Sequence, residues 1–246
     1  MMTKFGSVFI QLASVDSTNN YAANLIQQGS CQDGSVIMAD YQTMGRGQRG
    51  NSWQSVSAAN LMFSIAFQPK YPLEEQIRLA WYSAIIWQQC LLRFGLSTQI
   101  KWPNDIYVQG SKIGGILIEQ QLKGSQLDWS ILGCGINVNE SPELKQATSI
   151  YRETGQKFKP LTVLTEYLDL LNGQQALLYG DFLKLKGLFE EGLGFRNQPL
   201  QFEKKDGLPF EGSILGVNEQ GQLQLDVKGT VQSYGNQEIR FLLPST

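Results

Sequence analysis

Histidine is absent from all 246 residues. That absence removes Ser-His-Asp and Cys-His nucleophilic schemes and every histidine-based metal site. Cysteine is scarce: Cys31, Cys90 and Cys134 stand far apart, with no Cys-x-x-Cys. An odd number at such spacing argues for reduced thiols rather than a disulfide frame or a zinc site. Cys90 falls in an apolar helical pattern and Cys134 in a strand pattern, so both are assigned to the core. No run approaches the roughly 18 apolar residues of a membrane span, and the first residues, Met-Met-Thr-Lys-Phe-Gly, lack the apolar stretch of a signal peptide. A cytoplasmic protein without a membrane partner is expected. The formal net charge of −2 offers no excess of positive charge for bulk nucleic acid. Whatever chemistry remains must rest on lysine, arginine, carboxylates and neutral hydrogen-bond donors.

Against that background one segment stands out. Asp40–Trp53 places Arg46 and Arg49 among Gly45, Gly47 and Gly50, with no acidic residue from Tyr41 to Trp53. Glycine lets backbone N–H groups turn toward an anion, and arginine brings planar, permanently charged donors. The loop suits a lid over a phosphate or carboxylate, with Trp53 beside an adenine. It is not a P-loop, because Gly-x-x-x-x-Gly-Lys-Ser/Thr is missing. The Gly-x-Gly-x-x-Gly spacing is met, but the acidic ribose partner of a dinucleotide fold does not follow.

The rest of the chain reads as an α+β domain over 1–194 and a small all-β domain over 195–246. Ser7–Ala13, Ser35–Tyr41 and Leu61–Phe67 have strand character. A helix is expected between Asp16–Asn20 and Gly29, and a long one over Leu73–Phe94, where Ile77, Trp81, Ala84, Ile85, Leu91 and Leu92 form one wide stripe. Gln99–Trp102 and Ile106–Val108 flank a Pro103-Asn104-Asp105 turn. Lys112–Leu122 and Leu127–Val138 predict an antiparallel hairpin. Helices are expected over Thr162–Leu178 and Phe182–Glu191. From Gln198 to Leu243, five short runs with tight turns predict a small SH3-sized barrel.

Four separated segments then fall into one order. They are Ser17-Thr18-Asn19; Gln42 with Gly45-Arg46-Gly47; Lys101-Trp102-Pro103-Asn104-Asp105; and Lys112-x-Gly-Gly-Ile-Leu, followed by Gly133-x-Gly-Ile-Asn137. The ordered set resembles the biotin protein ligases across essentially the whole chain. The resemblance implies a class II synthetase-like mixed or antiparallel sheet with helices and an SH3-like tail. It also implies an enzyme that forms biotinyl-5′-adenylate from biotin and ATP, with Mg²⁺, and passes biotin to a lysine of a biotin carboxyl carrier protein. With few residues before the first strand, the monofunctional type without a DNA-binding module is expected, as monomer or homodimer.

By the same resemblance Ser17, Thr18, Asn19, Gln42 and Gly115 match the biotin pocket, and Arg46, Gly47 and Gln48 the loop that closes over it. Lys112 matches the lysine that reaches the reacting carboxylate and α-phosphate, so Lys112 and Arg46 are the expected catalytic cations. Arg49, Trp53, Lys101, Asn104, Asp105 and Asn137 match the nucleotide side. Gln48 departs from the family, standing where its best-known members carry a second arginine; Arg49 is the nearest replacement. Each piece also has a plain structural reading. Ser17–Asn19 suits a helix N-cap, residues 102–105 a turn, Gly114-Gly115 a bulge or a close backbone approach, and Trp53 a half-buried core aromatic. A lipoate or octanoate transferase of related fold would share the architecture, but no Arg-Arg-x-Ser-Gly-Gly-Gly segment is present. A non-catalytic binding module is the other competitor.

Overall fold

The computed structural model describes residues 3–53, 58–142 and 146–242, with the side chain of Arg49 outside that description. The main sheet comprises β1 (Phe9–Leu12), β2 (Ser35–Ala39), β3 (Leu61–Phe67), β4 (Gln99–Lys101), β5 (Asp105–Val108), β6 (Ser111–Lys123) and β7 (Gln126–Ile136). Their spatial order is β1-β2-β3-β7-β6-β5-β4. Only β1 and β2 run parallel, and a parallel pair needs a crossover; α1 (Thr18–Gln27) supplies it. All other neighbours are antiparallel. In the β6–β7 hairpin Gly124 takes the positive φ its tight turn requires.

The two faces of this sheet differ. Phe63, Ile65, Leu132 and Ile136 point into the large core, where α2 (Arg78–Arg93), α4 (Pro160–Gly173) and α6 (Phe182–Gly192) pack. There Trp87 stacks on Tyr167 with ring centroids 4.1 Å apart. Truncating a buried ring of this kind costs about 3–5 kcal/mol, so these rings anchor the helical layer. Alternate residues, Ile37, Ala66 and Ile131, form a smaller cluster with Ala22 of α1. Because α1 covers only part of this second face, the strands beyond it are open to a ligand.

Three helix boundaries differ from the sequence expectation. The Leu73–Phe94 segment is a 3-10 turn at Leu73–Glu75 followed by α2. The break lets buried Arg78 bind Glu75 and the carbonyls of Leu178 and Gly180. The single helix expected over Thr162–Leu178 is two, α4 and α5 (Gln175–Tyr179), parted at Gly173–Gln174 where glycine and a non-helical Gln174 interrupt the ladder. A short helix not expected, α3 (Ile150–Thr154), is capped by Ser149 accepting from Arg152 N.

The C-terminal strands are β8 (Pro199–Lys204), β9 (Pro209–Val217), β10 (Leu223–Val227), β11 (Thr230–Tyr234) and β12 (Ile239–Phe241), in an antiparallel sheet of order β11-β10-β9-β8-β12. Among the described residues this sheet is open rather than closed, and Leu243, the expected end of its last strand, lies outside them. The β10–β11 turn has positive φ at both Lys228 and Gly229, the two-residue pattern that matches strand twist. Trp102 Nε1 donates to Gly221 O at 2.9 Å, and Val217 N to Glu190 Oε1 at 2.9 Å, so this sheet is tied to the main domain beside β4 and α6.

Candidate active site

The exposed stretch of the second face forms the floor of a cavity of about 290 Å³. Its central feature is an absence of side chains. Gly115 on β6 pairs with Gly135 on β7, while Gly133 pairs with Ser64 on β3. Positions two apart on a strand share a face, so the three glycines make one bare patch. Each is closely overlaid. A Cβ at Gly133 would lie 2.9 Å from Asn19 Cγ, one at Gly135 2.6 Å from Trp53 Cζ2, and one at Gly115 3.2 Å from Asp105 Oδ1. The Gly-Gly and Gly-x-Gly segments are therefore sites of close approach. They also flank a bulge: the β5–β6 register shifts between Ile106 and Tyr107, with Ile106 opposite Gly114 and Tyr107 opposite Lys112. Skipping Ile113 restores Lys112 to the face of Gly115 and Asp105; a regular strand would send it to the opposite side.

At one end of the cavity the groups are neutral. Ser17 occupies the N-cap position of α1 without a capping side-chain bond. Gln42 takes that role from across the fold, its Oε1 accepting from Thr18 N at 2.7 Å and from Thr18 Oγ1 at 3.1 Å. Ser17 is thus the N-cap by backbone position but not by its side chain, and the buried residue also lines the cavity. Asn19 is held from two sides, its Oδ1 accepting from Ser64 Oγ at 2.6 Å and its Nδ2 donating to Glu119 Oε2 at 2.7 Å.

At the other end the groups are charged. Lys112 Nζ lies 2.6 Å from Asp105 Oδ1 and 5.8 Å from the centre of the Trp53 ring. Arg46 is a cation at the neutral end instead, its Nη2 2.6 Å from the Glu119 Oε2 that also accepts from Asn19. Lys101 Nζ contacts Tyr107 Oη at 3.2 Å and stands over Phe241 of the C-terminal sheet at 5.3 Å. Asn104 Nδ2 donates to Ile116 O at 2.7 Å, which fixes the 102–105 turn against β6. Gly45 and Gly47 hold the loop: Trp53 N donates to Gly45 O at 2.9 Å and Gly47 N to Asn51 O at 2.7 Å. Gln48 Oε1 accepts from Asn236 Nδ2 at 2.6 Å, joining the loop to the C-terminal sheet.

Two ionisable groups around the cavity are shifted, for different reasons. The amide of Asn20 holds the carboxyl of Asp16 below the ordinary carboxylate range, with Arg46 adding to the effect. Burial pushes the Cys134 thiol, beneath the floor, up to about 12. It stays a protonated packing group bonded to Trp87 Nε1 at 3.4 Å.

The cavity thus brings together Ser17, Thr18, Asn19, Gln42, Arg46, Gly47, Gln48, Trp53, Lys101, Asn104, Asp105, Lys112 and Gly115. Asn137 does not line it; buried behind the floor, it donates from Nδ2 to Thr148 O at 2.9 Å. The side chain of Arg49 lies outside the described residues. Sequence reasoning missed Glu119, Ser64, Asn236 and Phe241. Glu119 and Ser64 carried a usable signal, being polar at positions that share a face with the glycines.

Comparison with known proteins bears on this geometry. The model of the Biotin/lipoate A/B protein ligase family matches residues 12–137. That span holds the whole cavity except its contribution from the C-terminal sheet. The chain is 30% identical over 240 residues to the bifunctional ligase/repressor BirA of Escherichia coli, covering 95% of this chain and 74% of that protein. It is 30% identical over 170 residues to the biotin–[acetyl-CoA-carboxylase] ligase of Paracoccus denitrificans, covering 65% and 68%. The fold is similar to that of the biotin protein ligase from Aquifex aeolicus in complex with biotin and ATP. That match has a TM-score of 0.78 at 27% identity, over 96% of this chain and 98% of that one.

Proposed function

The chain belongs to the biotin/lipoate A/B protein ligase family, and from that premise we propose that it is a biotin–protein ligase that forms biotinyl-5′-adenylate and transfers biotin to a lysine of a biotin carboxyl carrier protein. The observation that carries this reading is the polarity of one cavity. Neutral donors and acceptors (Ser17, Thr18, Asn19, Gln42) line one end, where Glu119 also holds Arg46, and Lys101 and Lys112 stand at the other end of a bare glycine floor. Biotin has that polarity, with an uncharged ureido ring at one end and a carboxylate at the other. The Aquifex relative, solved with biotin and ATP together, supports the same pair of substrates here.

In the first step a biotin carboxylate oxygen attacks the α-phosphorus of ATP. A C–O–P linkage forms, the bond to the β-phosphate breaks, and pyrophosphate leaves. Two unit charges about 4 Å apart repel by roughly 4 kcal/mol at an effective dielectric of 20. Lys112 and Arg46 offset that repulsion and stabilise charge that grows on the phosphoryl oxygens. Both cations carry a carboxylate partner in the ligand-free chain, so an arriving anion exchanges one partner for another. Among the described residues no three of His, Cys, Asp and Glu gather into a metal-binding group. Mg²⁺ bound mainly through the ATP phosphates and water fits that donor set. In the second step the carrier lysine attacks the acyl carbon and AMP departs. Asp105, released when Lys112 turns to the phosphate, is positioned to accept the amine proton.

We assign residues 1–194 to the catalytic domain and 195–246 to an SH3-like C-terminal domain; five consecutive short antiparallel strands support the second assignment, though their sheet is open among the described residues. The test is incubation with biotin, α-labelled ATP and a carrier domain, with lipoate and octanoate as parallel acids. Labelled biotinyl-adenylate and a biotinylated carrier are expected. Adenylation of lipoate in preference to biotin would overturn the assignment.

A further inference from the structure

One acidic side chain joins the glycine loop to the neutral end of the site without an assigned part in it. Glu119 lies on β6 on the face of Gly115, two strand repeats further along. A single oxygen, Oε2, accepts from Arg46 Nη2 at 2.6 Å and from Asn19 Nδ2 at 2.7 Å. Asn19 belongs to the rigid floor, pinned by Ser64 and crowded onto Gly133. Arg46 belongs to the glycine loop. Among the described residues, Glu119 is thus the side chain through which the loop's arginine meets the floor.

We propose that Glu119 is a positioning residue that holds Arg46 as an internal stand-in for the substrate anion and yields it when a carboxylate arrives. The inference rests on the biotin ligase reading above. Three observations carry it. The contact is carboxylate to guanidinium, the same chemistry that the substrate would offer. The two side chains are 42% and 36% exposed, so the pair is solvated and exchangeable rather than locked in the interior. Once Arg46 leaves, Oε2 keeps its bond from Asn19, so the donor side of the floor remains oriented while the loop moves. Occupation of the loop then depends on the charge of the ligand's tail, and binding of the ring alone leaves Arg46 where it is.

Glu119→Gln keeps an acceptor for Asn19 but removes the competing charge. It should lower the KM for biotin about two- to fivefold, the range open to a half-exposed ion pair, and leave kcat for adenylate formation unchanged. Affinity for biotinol, the neutral alcohol analogue, should not change. In an Arg46→Ala background the same substitution should have no effect on biotin binding measured by calorimetry. A Glu119→Gln enzyme with an unchanged or raised KM overturns the proposal. So does equal tightening toward biotinol, or tightening that persists without Arg46, which would mark a general field effect. Thermal midpoints confirm that each variant is folded. Wild-type adenylation run alongside separates the two ideas: a wild type that makes no biotinyl-adenylate refutes the ligase reading. An active wild type with an indifferent Glu119→Gln refutes only the role of Glu119.

Discussion

Alanine at Gly133 and at Gly135 should produce two different lesions from neighbouring places on one strand. Neither glycine has a positive φ, so alanine meets no backbone strain, and the whole effect comes from what the new methyl strikes. At Gly133 it would stand 2.9 Å from Asn19 Cγ and closer to Oδ1, against an ordinary carbon–oxygen approach of about 3.3 Å. Asn19 is buried and bonded at both ends, so it retreats only by losing the bond from Ser64 or the one to Glu119. Losing a buried hydrogen bond costs about 1–3 kcal/mol, partly offset by roughly 0.4–1 kcal/mol from the stiffer unfolded chain. The net loss of about 1 kcal/mol should lower Tm by about 2–4 °C in a chain of this size. Displacement of Asn19 should weaken biotin binding by at least about tenfold, which is 1.4 kcal/mol. At Gly135 the methyl strikes the Trp53 ring, 2.6 Å from Cζ2. That ring belongs to the loop, so stability should change little and the KM for ATP should rise while biotin affinity holds. Calorimetry with biotin, adenylation kinetics against ATP and thermal melts distinguish the two. If both variants show one profile, the division of the floor into a biotin end and a nucleotide end is wrong.

Lys112→Ala should leave the fold intact and slow single-turnover adenylation by about 10²–10³-fold, the usual loss on removing one preorganised charge-stabilising donor; a near-normal rate would count against Lys112 as the reacting cation. Arg49→Gly should release biotinyl-adenylate and label bystander lysines, because a guanidinium pairs with phosphate through two charge-assisted bonds. Gln48→Gly and Asn236→Ala should instead act alike, since each breaks the same 2.6 Å link between loop and C-terminal sheet; labelling of an added bystander protein, read by blotting, ranks the three variants. Iodoacetamide at pH 8 should leave Cys90 and Cys134 unmodified in the native protein. Their thiols are pushed up to about 12 by burial, so reactive thiolate forms only as pH rises toward that value. Peptide mass spectrometry before and after denaturation checks this, and fast native labelling of Cys134 would mean that the floor opens.

Local sequence determined more of this protein than its architecture. The runs that became β3, β6 and β7 were legible because alternation and a glycine turn are local properties. The excluded chemistries followed from what is missing: histidine, paired cysteines and a P-loop. The order of the four polar and glycine segments was enough to gather the floor and both ends of the cavity, but not the wall that Asn236, Ile239, Arg240 and Phe241 bring from the C-terminal sheet. Interruptions decided by distant partners were not legible. The long helix is broken just before Arg78, which then binds the carbonyls of residues 178 and 180, and periodicity carries no trace of those partners.

Tertiary structure alone decided what each site residue does before a ligand comes. Ser17 reads as an N-cap, yet Gln42 caps the helix from the far end of β2. Lys112 reaches the site only because a bulge skips Ile113; Gly114-Gly115 pointed to a bulge or a close approach there, but which residue is skipped was decided by pairing with β5. Glu119 looks like one more solvated strand carboxylate until Arg46 and Asn19 converge on it. Sequence specifies which groups are available and which turns are possible. Only the packing of α1 on strands 46 and 100 residues further along brings Ser64 to Thr18 and Glu119 to Asn19, because such contacts form when loops close, not when segments fold.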